Sequence, residues 1–451
     1  MTGPAPSADE VAELLVALIR NSCVNDGTPE SGYESRSVVT LAAAIGDPDE
    51  VVEPVPGRQS AVWRVPGRVP GAPRLALMGH LDVVPANPEG WSVDPFGGVV
   101  EDGFVWGRGA VDMLNLTAAM AAAFRPYRRG EVDPLPGDLI FLAVADEENG
   151  GGLGADPLVR ERWDLVGCEA LLTEIAYPAL ETPGGVAYPV NVGEKGPHWR
   201  RLTSRGTPGH GSVPYGQDNA LIPLARAMAG IAAADMPVAI SDEWRAFVEA
   251  LELPEAESDA LLDSERVDTA IERLGAESMG MARYVHACTH LTVSPNVFGP
   301  GGKANLIPDH VVGEVDVRVL PGQDMDTVDQ HLRKAMGADA DRIELQPVKD
   351  HMASSSPARG LLWEAIVEGI DRMTGSRRVV PALTPAATDA RFFRDRGTTC
   401  YGVGLFDDRV SFSDFLDMFH GNNERVSVDS LGRTADLLGR VLEGWGRRTA
   451  G

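Results

Sequence analysis

The feature that most constrains this chain is a short, uninterrupted apolar segment that ends abruptly in acidic residues. Leu139–Ala145 has the sequence LIFLAVA and is followed directly by Asp146-Glu147-Glu148. An apolar run of this length, bounded by polar residues, predicts a strand that is buried on both faces. Because burying carboxylates is costly without a partner, the strand needs a counter-charge beyond its carboxyl end.

Other apolar strands are predicted to alternate with helices. Arg74–Gly79 ends before His80, Ala170–Thr173 ends before Glu174, and the Ala- and Met-rich segment Leu116–Phe124 predicts a packed helix. This alternation predicts an α/β fold with a mixed, mostly parallel sheet flanked by helices. Open sheets of this kind bind ligands beyond the carboxyl ends of their strands. The polar residues at these strand ends therefore mark a candidate functional site.

The pattern changes after Gly193. Trp199–Ser204 and Gly313–Leu320 alternate between apolar and polar residues, as half-exposed strands do. Between them, Ser241–Met281 is acidic and helical in pattern. We therefore expect a second, α+β domain that is inserted into the first.

The length of 451 residues also favours more than one hydrophobic core. We expect a catalytic domain in two parts, residues 1–193 and 319–451, with the inserted domain at 194–318. Near the N-terminus, Ser7–Glu10 has the pattern of a capping box and predicts the start of the first helix.

Composition narrows the possible partners. The net charge of −26 opposes binding to phosphate backbones or anionic lipid, so we expect neither nucleic acid nor a membrane as partner. The first ten residues contain no basic or apolar region of a signal peptide. Four scattered cysteines without a CxxC pair exclude a cysteine zinc site and favour a reducing cytoplasm.

Two short patterns suggest metal chemistry. In His80-Leu81-Asp82 the two polar side chains share one side of an extended segment, so Asp82 could accept a hydrogen bond from a metal-binding imidazole. The adjacent carboxylates of Glu147 and Glu148 point in different directions, which lets one bind metal while the other acts as a general base. Each pattern alone is also compatible with a solvated surface loop. Asp112 is similarly compatible with a turn.

The order of the motifs resembles the dinuclear zinc metallopeptidases that include aminoacylase, acetylornithine deacetylase, succinyl-diaminopimelate desuccinylase and carnosinase-type dipeptidases. The resemblance covers nearly the whole chain. It rests on GHLDVVP at Gly79–Pro85, GRGAVDM at Gly107–Met113, DEE at Asp146–Glu148, Glu174, GTPGHGSVP at Gly206–Pro214, NLIP at Asn305–Pro308, ATDARF at Ala387–Phe392 and FHGNNERV at Phe419–Val426.

The resemblance implies a centre of two Zn²⁺ ions, with Co²⁺ or Mn²⁺ as substitutes. Asp112 would bridge both ions, His80 and Glu174 would complete one site, and Glu148 and His420 would complete the other. Asp82 would orient His80. Glu147 would deprotonate a metal-bound water, which attacks the amide carbon, and would pass the proton to the leaving nitrogen.

The resemblance also implies that His210 of the inserted domain stabilises the oxyanion in the opposite subunit of a homodimer. A monomer with a self-closing lid is the alternative. Further residues would contact a small carboxylate-bearing substrate, namely Asn305, Arg318, Thr388 and Arg391. For Arg318, simple solvation is the competing interpretation.

The resulting functional prediction is an amidohydrolase that acts on N-acyl amino acids. Carboxypeptidase or dipeptidase action stays open, as does a non-catalytic binding protein on the same fold. Leu114-Asn115 replaces the Lys-Gly that many members carry after the bridging aspartate, which leaves the substrate class open. Glu174, rather than aspartate, resembles the deacylase and desuccinylase members.

Overall fold

The computed structural model describes residues 6–299 and 302–450. Numbered along the chain, the helices are α1 (Ala8–Arg20), α2 (Ser35–Ile45), α3 (Leu114–Arg128), α4 (Ala155–Glu161), α5 (Trp163–Val166), α6 (Leu221–Ala233), α7 (Asp242–Leu251), α8 (Glu255–Leu261), α9 (Val267–Glu277), α10 (Met279–Thr289), α11 (Met325–Ala335), α12 (Leu361–Thr374), α13 (Ala390–Arg394), α14 (Phe412–Met418) and α15 (Val428–Arg448).

The strands are β1 (Glu50–Val52), β2 (Ser60–Val65), β3 (Leu75–His80), β4 (Val99–Glu101), β5 (Phe104–Trp106), β6 (Leu139–Val144), β7 (Ala170–Thr173), β8 (Leu180–Thr182), β9 (Gly185–Glu194), β10 (Gly196–Arg205), β11 (Gly209–His210), β12 (Thr292–Gly299), β13 (Leu306–Ile307), β14 (His310–Val319), β15 (Ile343–Asp350), β16 (Ser354–Ser355), β17 (Val379–Thr384), β18 (Thr399–Gly402) and β19 (Arg425–Ser427).

The main sheet has the strand order β1-β2-β6-β3-β7-β18-β9-β16, and β8 and β17 also pair with β9. Strands β6, β3, β7 and β18 run parallel at its centre, while the pairings toward β1 and β16 are antiparallel. The predicted mixed α/β fold with a mostly parallel central sheet is therefore confirmed. Strands β3, β6 and β7 coincide with the three predicted apolar strands to within one residue.

Helices cover both faces of the main sheet. Because successive residues of a strand point to opposite faces, each central strand contributes side chains to two cores. Leu77 and Phe141 pack into a core with α1, α3, α12 and α15, whereas Met78 and Leu142 pack into a core with α4 and α13. Helix α1 begins as expected, with the Ser7 hydroxyl accepting a hydrogen bond from the Glu10 amide. Within the two described stretches, no helix combines the length and apolar character that a membrane crossing requires.

A second, four-stranded antiparallel sheet has the order β12-β14-β10-β15. Helices α6 and α11 pack against it through Leu224, Ile231, Val328 and Leu332. This layer extends beyond the limit of 318 expected from the sequence, because β15 hydrogen bonds to β10 and α11 covers the same sheet.

The helices of the expected inserted segment are divided between the two layers. Helices α7 to α10 do not share the core of the four-stranded sheet. Trp244, Phe247 and Tyr284 instead pack with Tyr177 and Phe412, which follow strands of the main sheet. The chain therefore crosses between the layers several times, and the site between them draws residues from both.

Candidate functional site

Five of the predicted residues form two groups of possible metal ligands. His80, Asp112 and Glu174 make one group, and Asp112, Glu148 and His420 make the other; within each group the ligand atoms lie within 4.8 Å of one another. Asp112 belongs to both. Its Oδ1 lies 3.2 Å from His80 Nε2, and its Oδ2 lies 3.4 Å from His420 Nε2. The two oxygens of one carboxylate thus face two different centres.

The parallel strands explain why these residues meet. His80 ends β3, the acidic residues follow β6, and Glu174 follows β7, and these three strands are neighbours in the sheet. Parallel neighbours bring their carboxyl ends to the same edge. Asp112 comes from the turn before α3, and His420 comes from the loop between α14 and β19.

A buried glutamate joins the Asp112 turn to the loop that carries His420. The Glu424 side chain is fully buried and accepts hydrogen bonds from the amides of Gly109 (3.0 Å), Val111 (2.6 Å) and Asp112 (2.9 Å). It also pairs with Arg108 Nη1 at 2.9 Å. Because these contacts fix the main chain at Asp112, Glu424 positions both groups of ligands relative to each other.

Asp82 holds the turn that carries the adjacent glutamates. Its carboxylate accepts hydrogen bonds from the amides of Glu147 (3.2 Å) and Glu148 (3.1 Å) and from Asn25 Nδ2 (2.9 Å). The expected hydrogen bond from His80 to this carboxylate is not formed, since His80 Nδ1 is 3.7 Å from Asp82 Oδ1. His80 Nδ1 instead lies 2.9 Å from the main-chain oxygen of Asp82. The main chain of Asp82 therefore orients the His80 imidazole, while the Asp82 carboxylate holds the turn that carries Glu147 and Glu148.

The same turn is fixed from a second direction by Asp146. Its Oδ1 accepts from Arg58 Nη2 at 2.9 Å, and its Oδ2 accepts from the amide of Leu153 at 2.9 Å. Arg58 is fully buried and also pairs with the buried Glu34 at 2.9 Å. The turn that carries Glu147 and Glu148 is thus held by residues that are not themselves possible metal ligands.

Burial and crowding perturb the carboxyl groups at this edge of the sheet. Burial raises the pKa of Glu147 well above its usual value, and the nearby charge of Asp389 acts in the same direction. Burial also raises the pKa of Glu174, with Glu147 adding to the effect. In contrast, although burial opposes it, hydrogen bonds with His420 and His80 lower the pKa of Asp112. The negative charge of the carboxylates in this cluster is therefore stabilised by cationic groups beside them.

The side chains fit a dinuclear zinc centre. Two imidazoles and three carboxylates are donors that Zn²⁺ accepts, and a shared carboxylate suits two adjacent ions. Among the described residues, the buried Glu148 Oε1 has no hydrogen-bond partner, as expected for an oxygen that a cation would satisfy. His420 is the most exposed of the set, with 55% of its side chain accessible, which leaves that side of the cluster open.

A cleft of about 530 Å³ lies over the cluster, between the main sheet and the second sheet. This volume is typical of a small-molecule site. The cleft is lined by Glu147, by all of the possible ligands except His80, and by Arg318 and Lys349 of the second sheet. Tyr177, Leu416 and Phe419 supply part of its apolar surface.

The residues expected to contact substrate fall into two sets. Arg318 and Arg391 line the cleft. Thr388 does not, because its side chain is buried and caps the turn at the start of α13, where Oγ1 accepts from the amide of Ala390 at 3.2 Å. His210 and Asn305 lie on the paired strand β11 and the loop before β13, and both are exposed and outside the cleft of their own chain.

Sequence reasoning missed three residues that shape the site. Glu424 lies within the FHGNNERV motif, and an acidic residue there could have been matched with Arg108 in GRGAVDM. Asp389 is fully buried, and neither of its carboxylate oxygens has a hydrogen-bond partner among the residues described, although Arg391 Nη2 lies 3.8 Å from Oδ1. Lys349 gave no local signal, because it enters the cleft only through the pairing of β15 with β10.

The chain is similar to known proteins over most of its length. The chain is 26% identical to aminoacylase-1 of Sus scrofa over 418 residues, which cover 92% of this chain and 90% of that protein. It is 27% identical to succinyl-diaminopimelate desuccinylase of Methylorubrum extorquens over 385 residues, covering 83% of each chain. The solved structure of the di-peptidase Dug1p from Saccharomyces cerevisiae has the same fold, with a TM-score of 0.72, 16% identity and coverage of 97% of this chain and 96% of that one. Residues 76–444 match the family described as Peptidase family M20/M25/M40. The chain therefore belongs to this family of hydrolytic enzymes.

Proposed function

We propose that this hydrolase uses two zinc ions to cleave the amide bond of an N-acyl amino acid or a similar small, carboxylate-bearing amide. The observation that carries the proposal is the pair of ligand groups that share Asp112, at the base of a cleft that also contains arginine and lysine side chains. Cationic side chains suit a substrate carboxylate. The likeness to aminoacylase-1 and to the desuccinylase supports deacylation, and the likeness to Dug1p keeps short peptides as the second candidate.

His80, Asp112 and Glu174 would hold one ion, and Asp112, Glu148 and His420 would hold the other. When bound, zinc supplies Lewis acidity, which polarises a carbonyl group and makes water more acidic. The turns that carry Asp112 and Glu148 are held through their main chain, by the hydrogen bonds of Glu424 and Asp82.

Glu147 would be the general base. It lines the cleft beside the possible ligands, where its carboxylate could accept a proton from the attacking water and then donate it to the leaving nitrogen. Asp82 fixes the amide of Glu147, so the carboxyl group stays directed by a rigid turn. Arg391 holds the other end of this turn, because its Nη2 donates to the main-chain oxygen of Gly150 at 2.8 Å.

Substitutions of the two adjacent glutamates test these roles. Glu147→Gln should lower kcat by about 100-fold or more while zinc content stays near two ions per chain, because a base contributes chiefly to the chemical step. Glu148→Gln should lose zinc, as measured by elemental analysis after dialysis. The opposite pattern would show that the two roles are reversed.

A substrate panel tests the reaction class. The zinc and cobalt forms should be assayed with N-acetyl and N-succinyl amino acids beside dipeptides. Hydrolysis of the acyl amino acids at higher kcat/KM than the dipeptides supports the deacylase, and the reverse order supports the dipeptidase. Zinc-loaded protein that binds these compounds without cleaving any of them would instead support a binding protein.

We also propose a homodimer in which His210 serves the cleft of the partner chain. His210 and Asn305 are exposed and adjacent at the pairing of β11 with β13, and neither lines the cleft of its own chain. Strand β12 is an edge of its sheet and itself carries exposed apolar side chains at Val297 and Phe298. Edges and apolar patches of this kind are favoured sites of association.

Mixing two inactive variants tests this arrangement. His210→Ala chains and Glu147→Gln chains should recover activity when they exchange subunits, because one cleft of the heterodimer then has both wild-type groups. Subunit exchange is followed by mass spectrometry of differently tagged chains. Exchange without recovered activity would contradict action in the partner's cleft.

A further inference from the structure

Lys349 lies on the face of the second sheet that forms one wall of the cleft. It is paired directly with Trp199 on the neighbouring strand, and Arg318 enters the same face from the strand on the other side. The Lys349 Nζ atom lies 4.3 Å from the centre of the Trp199 ring, and the Arg318 guanidinium lies 5.4 Å from it. The indole therefore holds two cations at the cleft wall.

The cations of this cleft differ in how much of their hydrogen-bonding capacity is already used. Arg318 is neutralised by Asp316, which accepts from its Nε at 2.7 Å and from its Nη2 at 3.0 Å. Arg391 is 5% exposed and donates to the main-chain oxygens of Thr388 and Gly150. Both guanidinium groups are thus largely committed to contacts within the chain.

Lys349 has more capacity to bind a ligand. Within residues 6–299 and 302–450, the one hydrogen bond of its ammonium group is to the main-chain oxygen of Asn149, at 2.8 Å. An ammonium group has three N–H donors, so two remain for a ligand. Among the described residues, no carboxylate forms an ion pair or side-chain hydrogen bond with the Lys349 ammonium group, which leaves its charge available to an anion.

The position of Lys349 also relates it to the reacting groups. Asn149 ends the turn that begins with Glu147, so the ammonium group touches the segment that carries the proposed base. Glycine follows at position 150, where an added Cβ atom would lie 2.5 Å from Lys349 Nζ. A substrate group bound by Lys349 is therefore held at a fixed place relative to Glu147.

We propose that Lys349 binds the free carboxylate of the substrate and selects acids over their uncharged amides; this rests on the proposed amidohydrolase function. The apolar side chains of Tyr177, Leu416 and Phe419 in the same cleft receive an apolar group of the substrate. The preferred substrate class is then an N-acyl amino acid with one free carboxylate and one apolar side chain or acyl group.

Binding measurements separate recognition from turnover. In zinc-loaded Glu147→Gln protein, calorimetric titration with N-acetyl-L-leucine, N-succinyl-L-leucine and glycyl-L-leucine is compared with titration of their C-terminal carboxamides. Adding Lys349→Met, which keeps a stem over the Trp199 ring, should weaken binding of the acids at least about tenfold, the usual effect of a hydrogen bond to a charged group. Binding of the carboxamides should change less than about twofold.

Two further variants complete the experiment. Lys349→Arg should retain the preference for acids, because it keeps the charge, whereas Lys334→Met, on the exposed surface of α11, should leave all affinities unchanged. Equal loss of acid and carboxamide binding in Lys349→Met, or no loss of either, would overturn the assignment of Lys349. Failure of wild-type zinc enzyme to hydrolyse any member of the panel would overturn the proposed function instead.

Discussion

Replacing Glu424 by alanine should destabilise the chain even when no metal is bound. The substitution removes the acceptor of three main-chain amides and leaves the buried Arg108 guanidinium without its carboxylate. Breaking a buried ion pair by removing one partner costs about 3–5 kcal/mol. The second contact of Arg108, from Nη2 to the His420 oxygen at 3.3 Å, is long and does not replace the carboxylate.

The assay is urea unfolding followed by far-ultraviolet circular dichroism in the presence of a chelator, so that metal binding does not contribute. Because the urea slope of a chain of 451 residues exceeds the range of about 1–3 kcal/mol/M for small proteins, a loss of about 3–5 kcal/mol should lower the midpoint by roughly 0.5–1.5 M. The matched control is Asp417→Ala, which removes an exposed ion pair with Arg283 and should cost about 0–1 kcal/mol. If Glu424→Ala shifts the midpoint no more than Asp417→Ala does, the network does not stabilise the loop as argued.

Three further predictions concern the rest of the fold. Burial raises the pKa of every cysteine thiol, so a thiol reagent at pH 8 should modify the native chain slowly and the denatured chain at all four positions, Cys23, Cys168, Cys288 and Cys400. Burial lowers the pKa of Lys195 to about 7, so the unfolded chain binds more protons than the folded chain between pH 7 and about 10.4. The wild type should therefore gain stability relative to Lys195→Met as the pH rises through this window. An unchanged difference between their unfolding midpoints would contradict this prediction. Gly79→Ala would place a Cβ atom 2.3 Å from Thr117 Oγ1 and should lower the melting temperature, whereas Gly439→Ala, on an open part of α15, should not.

The central sheet and the possible ligands could be predicted because their signals are local. A buried parallel strand such as Leu139–Val144 is written as a continuous apolar run, and its end is marked by the first charged residues. Parallel neighbours then place those ends together without further information. Single segments therefore place His80, Glu148 and Glu174 at strand ends, whereas their role as metal ligands is implied by the order of the motifs along the whole chain.

Side-chain partners and layer limits could not be predicted in the same way, because they depend on contacts between distant segments. Asp82 has the spacing expected for a partner of His80, yet the amides at 147 and 148 are closer to its carboxylate. Thr388 lies in a motif associated with substrate, but its hydroxyl caps a turn. Strand β15 follows the expected limit at 318, and only its pairing with β10 assigns it to the second sheet and places Lys349 in the cleft.

The contacts of Glu424 also set the order of events during synthesis on the ribosome. Asp112 and Glu424 are 312 residues apart, so at about 5–20 residues per second roughly 15–60 s pass between their appearances in the growing chain. Until then the Asp112 turn lacks its buried acceptor, and the strand β5 lacks the pairing with β19. The nascent N-terminal segment can form its strands early, but the complete set of possible ligands assembles only as one of the last steps of translation.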